Sequence, residues 1–408
     1  MNRPLPPHVA ARQAAVLREV IRMAGHAVVR GEPADETLGR FFRSHKEYGA
    51  RDRRLFSQVI FSWFRWRGWL DGIEPGQAAA LAYYKDTDEP HPAVDALLGD
   101  RSRELPAQPP ERLVPDWLRS ELFETDVHFE RFVEWIQKRP PTWLRVQDGK
   151  LNLVAALVGT AGPAVALRAM AGKPSVHGAL GQRALPFVGS LNLDLIRKDV
   201  GPCFEVQDLA SQCVGLVCAP KPGETWWDVC AGAGGKSLHL AELMERTGRI
   251  VATDIRASAL RELERRAAAA GISTIRTSTS NEQPATNNAF DGVLVDAPCS
   301  GIGTWSRNPD MRWRTSASVV AGKAKVQLEL LARAADAVKP GGALVYAVCT
   351  VTRAETVAVI AEFLKSRPDF TLQPVPHPLT GAETNGEVWI WPWDGPCDGM
   401  FVARMARA

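Results

Sequence analysis

Two cysteines fifty positions apart are the residues of this chain best suited to chemistry. Cys299 stands in Asp296-Ala297-Pro298-Cys299-Ser300-Gly301, and Cys349 in Tyr346-Ala347-Val348-Cys349-Thr350. A thiolate adds as a nucleophile to a ring carbon, while a second group at the same site handles proton transfer or release. Each cysteine follows a short apolar run, Val293 to Asp296 and Ala343 to Val348, that reads as a buried strand. Residues just beyond the carboxyl ends of strands in an open α/β sheet face the ligand crevice, so the two thiols are expected in one site.

A second group of residues has the pattern of a ligand-binding turn. Asp228-Val229-Cys230-Ala231-Gly232-Ala233-Gly234-Gly235-Lys236-Ser237 falls where a strand ends and a helix begins. Glycines let the backbone come close to a ligand there, and the helix start offers unpaired N–H groups. A Walker A loop needs glycine where Cys230 stands, and a dinucleotide fingerprint is met only by Gly232 and Gly234. S-adenosylmethionine is the third reading. It is favoured by Asp254, which closes the next strand where a carboxylate can accept both ribose hydroxyls. Asp296 borders the same crevice and suits the ring nitrogen and amino group of a cytosine. Beyond the first cysteine, Trp305-Ser306-Arg307 and Arg312-Trp313-Arg314 interleave aromatic and basic residues. Arg307, Arg312 and Arg314 are therefore candidates for phosphate contacts, with the tryptophans for stacking on unpaired RNA. Cys203, Cys213 and Cys218 read as core residues.

The elements that must position these groups follow from periodicity. Apolar residues at three and four spacing from Arg12 to Asp71 predict an all-helical module; residues 72–115 read as a linker with short helices. Trp117 to Lys138 is expected to be helical, ending at Arg139-Pro140-Pro141, and Thr142 to Gln147 to be a strand. From Gly201 onward strands and helices alternate. Strands are expected at Thr225–Val229, Arg249–Asp254, Thr274–Ser278, Gly292–Asp296 and Ala343–Val348, which predicts a largely parallel, doubly wound sheet.

Composition narrows the class further. The chain has 408 residues, 45% hydrophobic and 23% charged, enough for two or three domains of an ordinary globular protein. No apolar run approaches a membrane span and Met1 to Pro7 lacks a secretory pattern, so a cytoplasmic location is expected. Seven scattered cysteines without a Cys-x-x-Cys pair and eight histidines without ligand spacing argue against a disulfide framework and a metal. Net charge is +3, but residues 1–70 hold 13 Lys/Arg against 6 Asp/Glu, which points to a polyanionic partner.

On these motifs the chain resembles the NOL/NOP/Sun RNA (cytosine-5) methyltransferases, most closely the bacterial ribosomal small-subunit methyltransferase B branch. The resemblance rests on Phe204-Glu205-Val206-Gln207-Asp208-Leu209-Ala210-Ser211-Gln212, on Cys230 to Lys236, on Asp296 to Gly301, on Tyr346 to Thr350 and on Asp398-Gly399-Met400-Phe401-Val402-Ala403-Arg404. It implies a class I, Rossmann-like α/β methyltransferase domain over residues 201–408, binding S-adenosylmethionine through Cys230, Ala231, Gly232, Ala233, Gly234, Gly235, Lys236, Asp254 and Asp296. It also implies a small α+β RNA-binding segment with a helical linker over 116–200, and a NusB-like all-α RNA-binding domain with its linker over 1–115. By the same resemblance Cys349 attacks carbon 6 of a cytosine in RNA, ribosomal RNA being the expected partner, and Cys299 assists proton removal and release. The residues alone do not assign which thiol attacks. A DNA cytosine-5 methyltransferase using Cys299, and a non-catalytic RNA-binding assembly factor, are the competing readings.

The chain departs from the family pattern at three places. Gly232-Ala233 replaces Ala-Pro in the cofactor loop, and Arg353-Ala354-Glu355-Thr356 replaces Pro-Glu-Glu-Asn, keeping only Glu355. The acidic residue after the third strand is absent from Thr277-Ser278-Thr279-Ser280-Asn281, where Ser278 or Ser280 is the expected substitute.

Overall fold

The computed structural model describes residues 6–122, 126–158, 183–187, 193–279 and 288–408. They form two compact units. One comprises residues 1–139 together with 304–317, and the other 140–303 together with 318–408.

In the first unit, α1 (Pro7–Val29), α2 (Ala34–Ser44), α3 (Ala50–Trp66), α4 (Pro75–Asp86) and α5 (Pro92–Leu98) follow one another, and α6 (Leu118–Glu121) and α7 (Asp126–Trp135) complete the helices before Arg139. Residues 72–98 are thus no linker. Ala78, Ala79, Ala80, Leu81 and Ala82 are each 2% exposed or less. A helix apolar on every side has no solvent face and belongs at the centre of its bundle, a signal that the short turn sequences around it conceal. The insertion 304–317 belongs to the same core. Trp305 is fully buried and meets Trp117 edge to face at 6.4 Å; the Trp313 indole donates to the Phe64 carbonyl at 2.7 Å; and the Asp310 carboxylate accepts from the Ala34 backbone N–H at 3.1 Å. The structural division therefore lies at 139/140 rather than at 115. A segment from the second half of the chain completes the helical unit.

The second unit opens with a small antiparallel sheet in the order β2-β1-β3, made of β1 (Thr142–Val146), β2 (Ala184–Phe187) and β3 (Phe204–Val206). Its main sheet has eight strands. Five are parallel: β4 (Thr225–Asp228), β5 (Arg249–Thr253), β6 (Ile275–Ser278), β7 (Phe290–Asp296) and β8 (Val338–Val348). Three were not expected from the sequence: β9 (Phe370–Leu372), β10 (Glu387–Ile390) and β11 (Met400–Arg407), which pair antiparallel. The order is β10-β11-β8-β7-β4-β5-β6, with β9 also on β11.

Both faces of this sheet are covered, as a parallel sheet requires. Adjacent Trp226 and Trp227 on β4 enter separate cores on opposite faces. Strand order reverses between β4 and β7, and the ends of these two strands and their neighbours border the crevice where such folds bind ligands.

Candidate active site

Four strand ends converge on this crevice: the glycine loop after β4, Asp254 after β5, Cys299 after β7 and Cys349 after β8. Parallel register places Asp296 beside Ala347, so both cysteines emerge at the same level. Their sulfurs lie 3.3 Å apart. The hydrogen bond to Cys349, and then burial, hold the Cys299 thiol well above its ordinary pKa.

Lys236 and Asp296 form the charged side of the site, with Nζ and Oδ2 2.6 Å apart. Burial alone would lower the Lys236 pKa. The Asp296 charge and hydrogen bond outweigh it, and Cys349 adds to the same direction, so the net shift is upward. Lys236 is thereby a permanent ammonium on this side of the site.

The two cysteine loops are tied together by one buried carboxylate. Glu355 accepts from the Ser300 N–H at 2.8 Å, the Ser300 hydroxyl at 2.5 Å, the Thr352 hydroxyl at 3.1 Å, the Thr350 hydroxyl at 3.2 Å and the Gln327 amide at 3.0 Å. Ser300 follows Cys299 and Thr350 follows Cys349. Any displacement of Glu355 thus moves both thiols. A further clamp is made by backbone. Gly303 donates to the Cys349 carbonyl at 3.1 Å, and Gly399 donates to the Gly303 carbonyl at 2.9 Å. A Cβ on Gly303 would stand 1.9 Å from the Gly399 oxygen, so only glycine lets these chains cross.

The cofactor side is a cleft of about 730 Å³ lined by Cys230, Ala231, Gly232, Ala233, Asp254 and Asp296 among others. That volume lies within the usual small-molecule range. Gly232 and Gly234 have φ +55° and +84°, and a Cβ on Gly234 would collide with Leu263. These glycines bend the loop sharply at the start of the helix Gly235–Leu243. Asp254 accepts from the Gly232 N–H at 2.9 Å and from Arg256 at 2.8 and 3.0 Å. Burial would raise this carboxyl, but the Arg256 and Gly232 hydrogen bonds prevail and hold it below the ordinary range. It is thus a firm anion at the cleft wall. Ile255, 79% exposed, lines the same cleft and gives an apolar surface for a purine ring. A glycine turn, a carboxylate and an apolar wall fit the sulfonium nucleoside. Among the described residues, no group of three His, Cys, Asp or Glu could hold a metal ion.

A family model described as 16S rRNA methyltransferase RsmB/F matches residues 215–406. The probable ribosomal RNA small subunit methyltransferase B of Synechocystis is 34% identical over 305 residues, 72% of this chain and 67% of that protein. The chain belongs to this family. The ribosomal RNA small subunit methyltransferase B of Pasteurella multocida is 30% identical over 72% of this chain and 65% of its own length, so the matches span about two thirds of these relatives. The crystal structure of PH0851 superimposes with a TM-score of 0.73 at 25% identity, covering 99% of this chain and 100% of the other. NSun6 from Pyrococcus horikoshii with SFG gives 0.55 at 18% identity over 69% of this chain and 94% of its own, a likeness of fold. The RsmB/F domain is a class I methyltransferase domain, and S-adenosylmethionine is its cofactor.

Within this RsmB/F framework the structure separates the three candidate arginines. Arg312 is fully buried and does not reach a nucleic acid. Its guanidinium donates to the carbonyls of Ile136 at 2.6 Å and Arg65 at 3.2 Å and to Gln137 Oε1 at 3.2 Å. Arg314 is engaged with Asp310 at 3.0 Å. Arg307 lines an open cavity of the helical unit. Trp305 is likewise a core residue: its removal would cost about 3–5 kcal/mol of packing, more than the ~1–3 kcal/mol of a base stack. Alternation of Trp and Arg marks either role, and only burial distinguishes them. Ser278 is exposed and is not among the residues lining the cofactor cleft; Ser280 lies outside the described residues. From sequence, Lys236 stands only as a cofactor residue and Glu355 only as the position kept from the family pattern. Asp296 lies sixty residues from Lys236, and Ser300 and Gln327 lie 55 and 28 residues from Glu355, so local spacing does not signal these contacts.

Asp228, fully buried beneath the glycine loop, supplies a test of this side of the site. Burial pushes its carboxyl up to about 7 against the hydrogen bond from Ser237 at 2.6 Å. Between the ordinary value of 3.8 and about 7, the native state holds a proton that the unfolded chain has lost. This group's contribution to stability is therefore whole below pH 3.8 and is lost as pH rises through the window. Asp228→Asn lacks the titration. Urea unfolding should show the variant gaining on wild type from pH 4 to pH 8, by up to roughly 4 kcal/mol. A constant difference across that range would contradict a buried, protonated Asp228.

Proposed function

We propose that this chain methylates carbon 5 of a cytosine in 16S ribosomal RNA, in the cytoplasm, through a covalent adduct between Cys349 and carbon 6. The observation that carries the reading is the 3.3 Å sulfur pair at neighbouring strand ends beside the Lys236–Asp296 ion pair. The Cys349 thiolate forms the S–C6 bond as the C5–C6 π electrons move toward carbon 5. The Asp296 carboxylate accepts from the amino group of the base, and the Lys236 ammonium paired with it supplies the positive charge that offsets the charge building on the ring. S-adenosylmethionine, when bound, supplies the electrophilic methyl group that carbon 5 takes up. Cys299 then assists removal of the carbon 5 proton, the C5–C6 double bond re-forms and the Cys349 sulfur leaves. A cytosine must leave its stack to reach both sulfurs, so a flipped or unpaired base is the substrate. Small-subunit RNA from cells with and without the gene, compared by bisulfite sequencing, should differ by loss of 5-methylcytosine. Identical methylation maps would count against the assignment, and no heat on titration with S-adenosylmethionine would favour a non-catalytic scaffold.

A further inference from the structure

The helical unit contains a cavity of about 1140 Å³, larger than the roughly 300–1,000 Å³ usual for small-molecule sites. Its walls come from α3, α4, α7 and nearby segments, with Arg307 from the insertion. Six Lys or Arg residues and three carboxylates line it, a net +3 that equals the charge of the whole chain.

Two of the carboxylates are already engaged. Asp86 accepts from Ser62 at 2.7 Å, from Trp66 at 2.6 Å and from Arg65, and Glu134 accepts from Lys138 at 2.5 Å. No carboxylate pairs with Arg139 among the described residues. Desolvation by the surrounding walls, and then the like charges of Arg65 and Arg307, hold its guanidinium below the ordinary pKa. Beside Gln137 in the wall, the buried Arg312 adds a further positive charge bonded only to neutral oxygens. Such a concentration of cations in a low-dielectric hollow focuses a field that attracts an anion.

The aromatic walls indicate which anion. Trp66 and Trp69 lie 5.1 Å apart, with their indole N–H groups donated to Asp86 and to the Pro109 carbonyl. Both rings are thereby fixed in orientation. Fixed indoles beside planar guanidinium groups match the two parts of an unpaired nucleotide, the base face and the phosphate.

We propose that this cavity binds an unpaired stretch of RNA, with phosphates on Arg54, Arg139 and Arg307 and a base against Trp69. The inference rests on the reading that the chain acts on RNA. It adds a specific second contact, made through the helical unit. Arg307 follows Cys299 by eight positions in the chain, so the segment that closes the cavity is the direct continuation of the catalytic loop.

The test is the double variant Arg139→Ala/Arg307→Ala, probed with an unpaired oligoribonucleotide of about ten nucleotides and with a small-subunit RNA fragment. Affinity for both should fall at least tenfold, and the slope of log K against log salt should flatten by about 1.4, from roughly 0.7 for each lost phosphate contact. Trp69→Leu should weaken the oligoribonucleotide by about tenfold with the salt slope unchanged. Binding of S-adenosylmethionine should be unaltered in all variants, and an unchanged helical circular-dichroism signal should verify that the helical unit carrying the substitutions is folded. Unchanged RNA affinity and slope, or loss of inorganic phosphate or an acidic peptide with RNA binding intact, would overturn the proposal. Methyl transfer by wild type alongside full RNA affinity in the double variant would remove the cavity site alone. Arginine-dependent RNA binding without methylation of any RNA would instead remove the proposed reaction and leave the cavity site standing.

Discussion

Cys349→Ala is expected to lower methyl transfer to RNA by at least ~10³-fold, with no covalent complex formed, while Cys299→Ala traps one. The asymmetry comes from the pair itself. The two sulfurs lie 3.3 Å apart, and the hydrogen bond with Cys349, then burial, hold the Cys299 thiol well above its ordinary pKa, which suits Cys349 rather than Cys299 to attack. Without Cys349 nothing at this strand end can add to carbon 6. Without Cys299 addition still occurs, but release stalls, and a protein–RNA band resistant to denaturing electrophoresis should accumulate. Equal activity of the Cys349→Ala variant would refute covalent attack by this residue. The reverse pattern, adduct with Cys349→Ala and none with Cys299→Ala, would point to the chemistry of a DNA-type enzyme, and methylated DNA should then be found.

The second large effect is expected at a residue that does not touch substrate. Glu355→Ala removes the acceptor of five hydrogen bonds and leaves their donors buried. Breaking one partner out of a buried charged network costs about 3–5 kcal/mol. The midpoint of urea unfolding should fall accordingly. Glu355→Gln keeps the shape and accepts some of the same bonds, so it should fold better yet still misplace the thiols. Its kcat should fall by about tenfold or more with KM for RNA nearly unchanged, since only the alignment of Cys299 and Cys349 is altered. A Glu355→Gln enzyme with wild-type kcat would show that the carboxylate serves stability alone.

What was legible in the sequence is what is local. The apolar runs before Cys299 and Cys349 are buried strands, and the glycine loop does join β4 to a helix, because both patterns are written in consecutive residues. The antiparallel strands β9 to β11 escaped notice because they are short, or follow turns rich in proline and glycine, and their pairing is set by register across the sheet. Residues 72–98 looked like a linker since the turns around α4 and α5 are conspicuous and an alanine-rich helix is not. The site shows the same limit. Cys299 and Cys349 were found as residues, whereas the Glu355 network needs Ser300, Gln327, Thr350 and Thr352 to be brought together by three separate elements.

The segment 304–317 gives the molecule an unusual order of birth. Most multidomain chains complete their N-terminal part first as they leave the ribosome. Here the helical unit must wait until about three quarters of the chain has been synthesised before Trp305, Asp310 and Arg312 arrive. Until then the carbonyls of Arg65, Leu113 and Ile136 lack the guanidinium they later share. The chain crosses between the units three times, at 139/140, 303/304 and 317/318, so neither can be made, excised or transplanted as a simple leading or trailing block. The two units are obliged to mature together, and an early stop in translation leaves both of them unfinished.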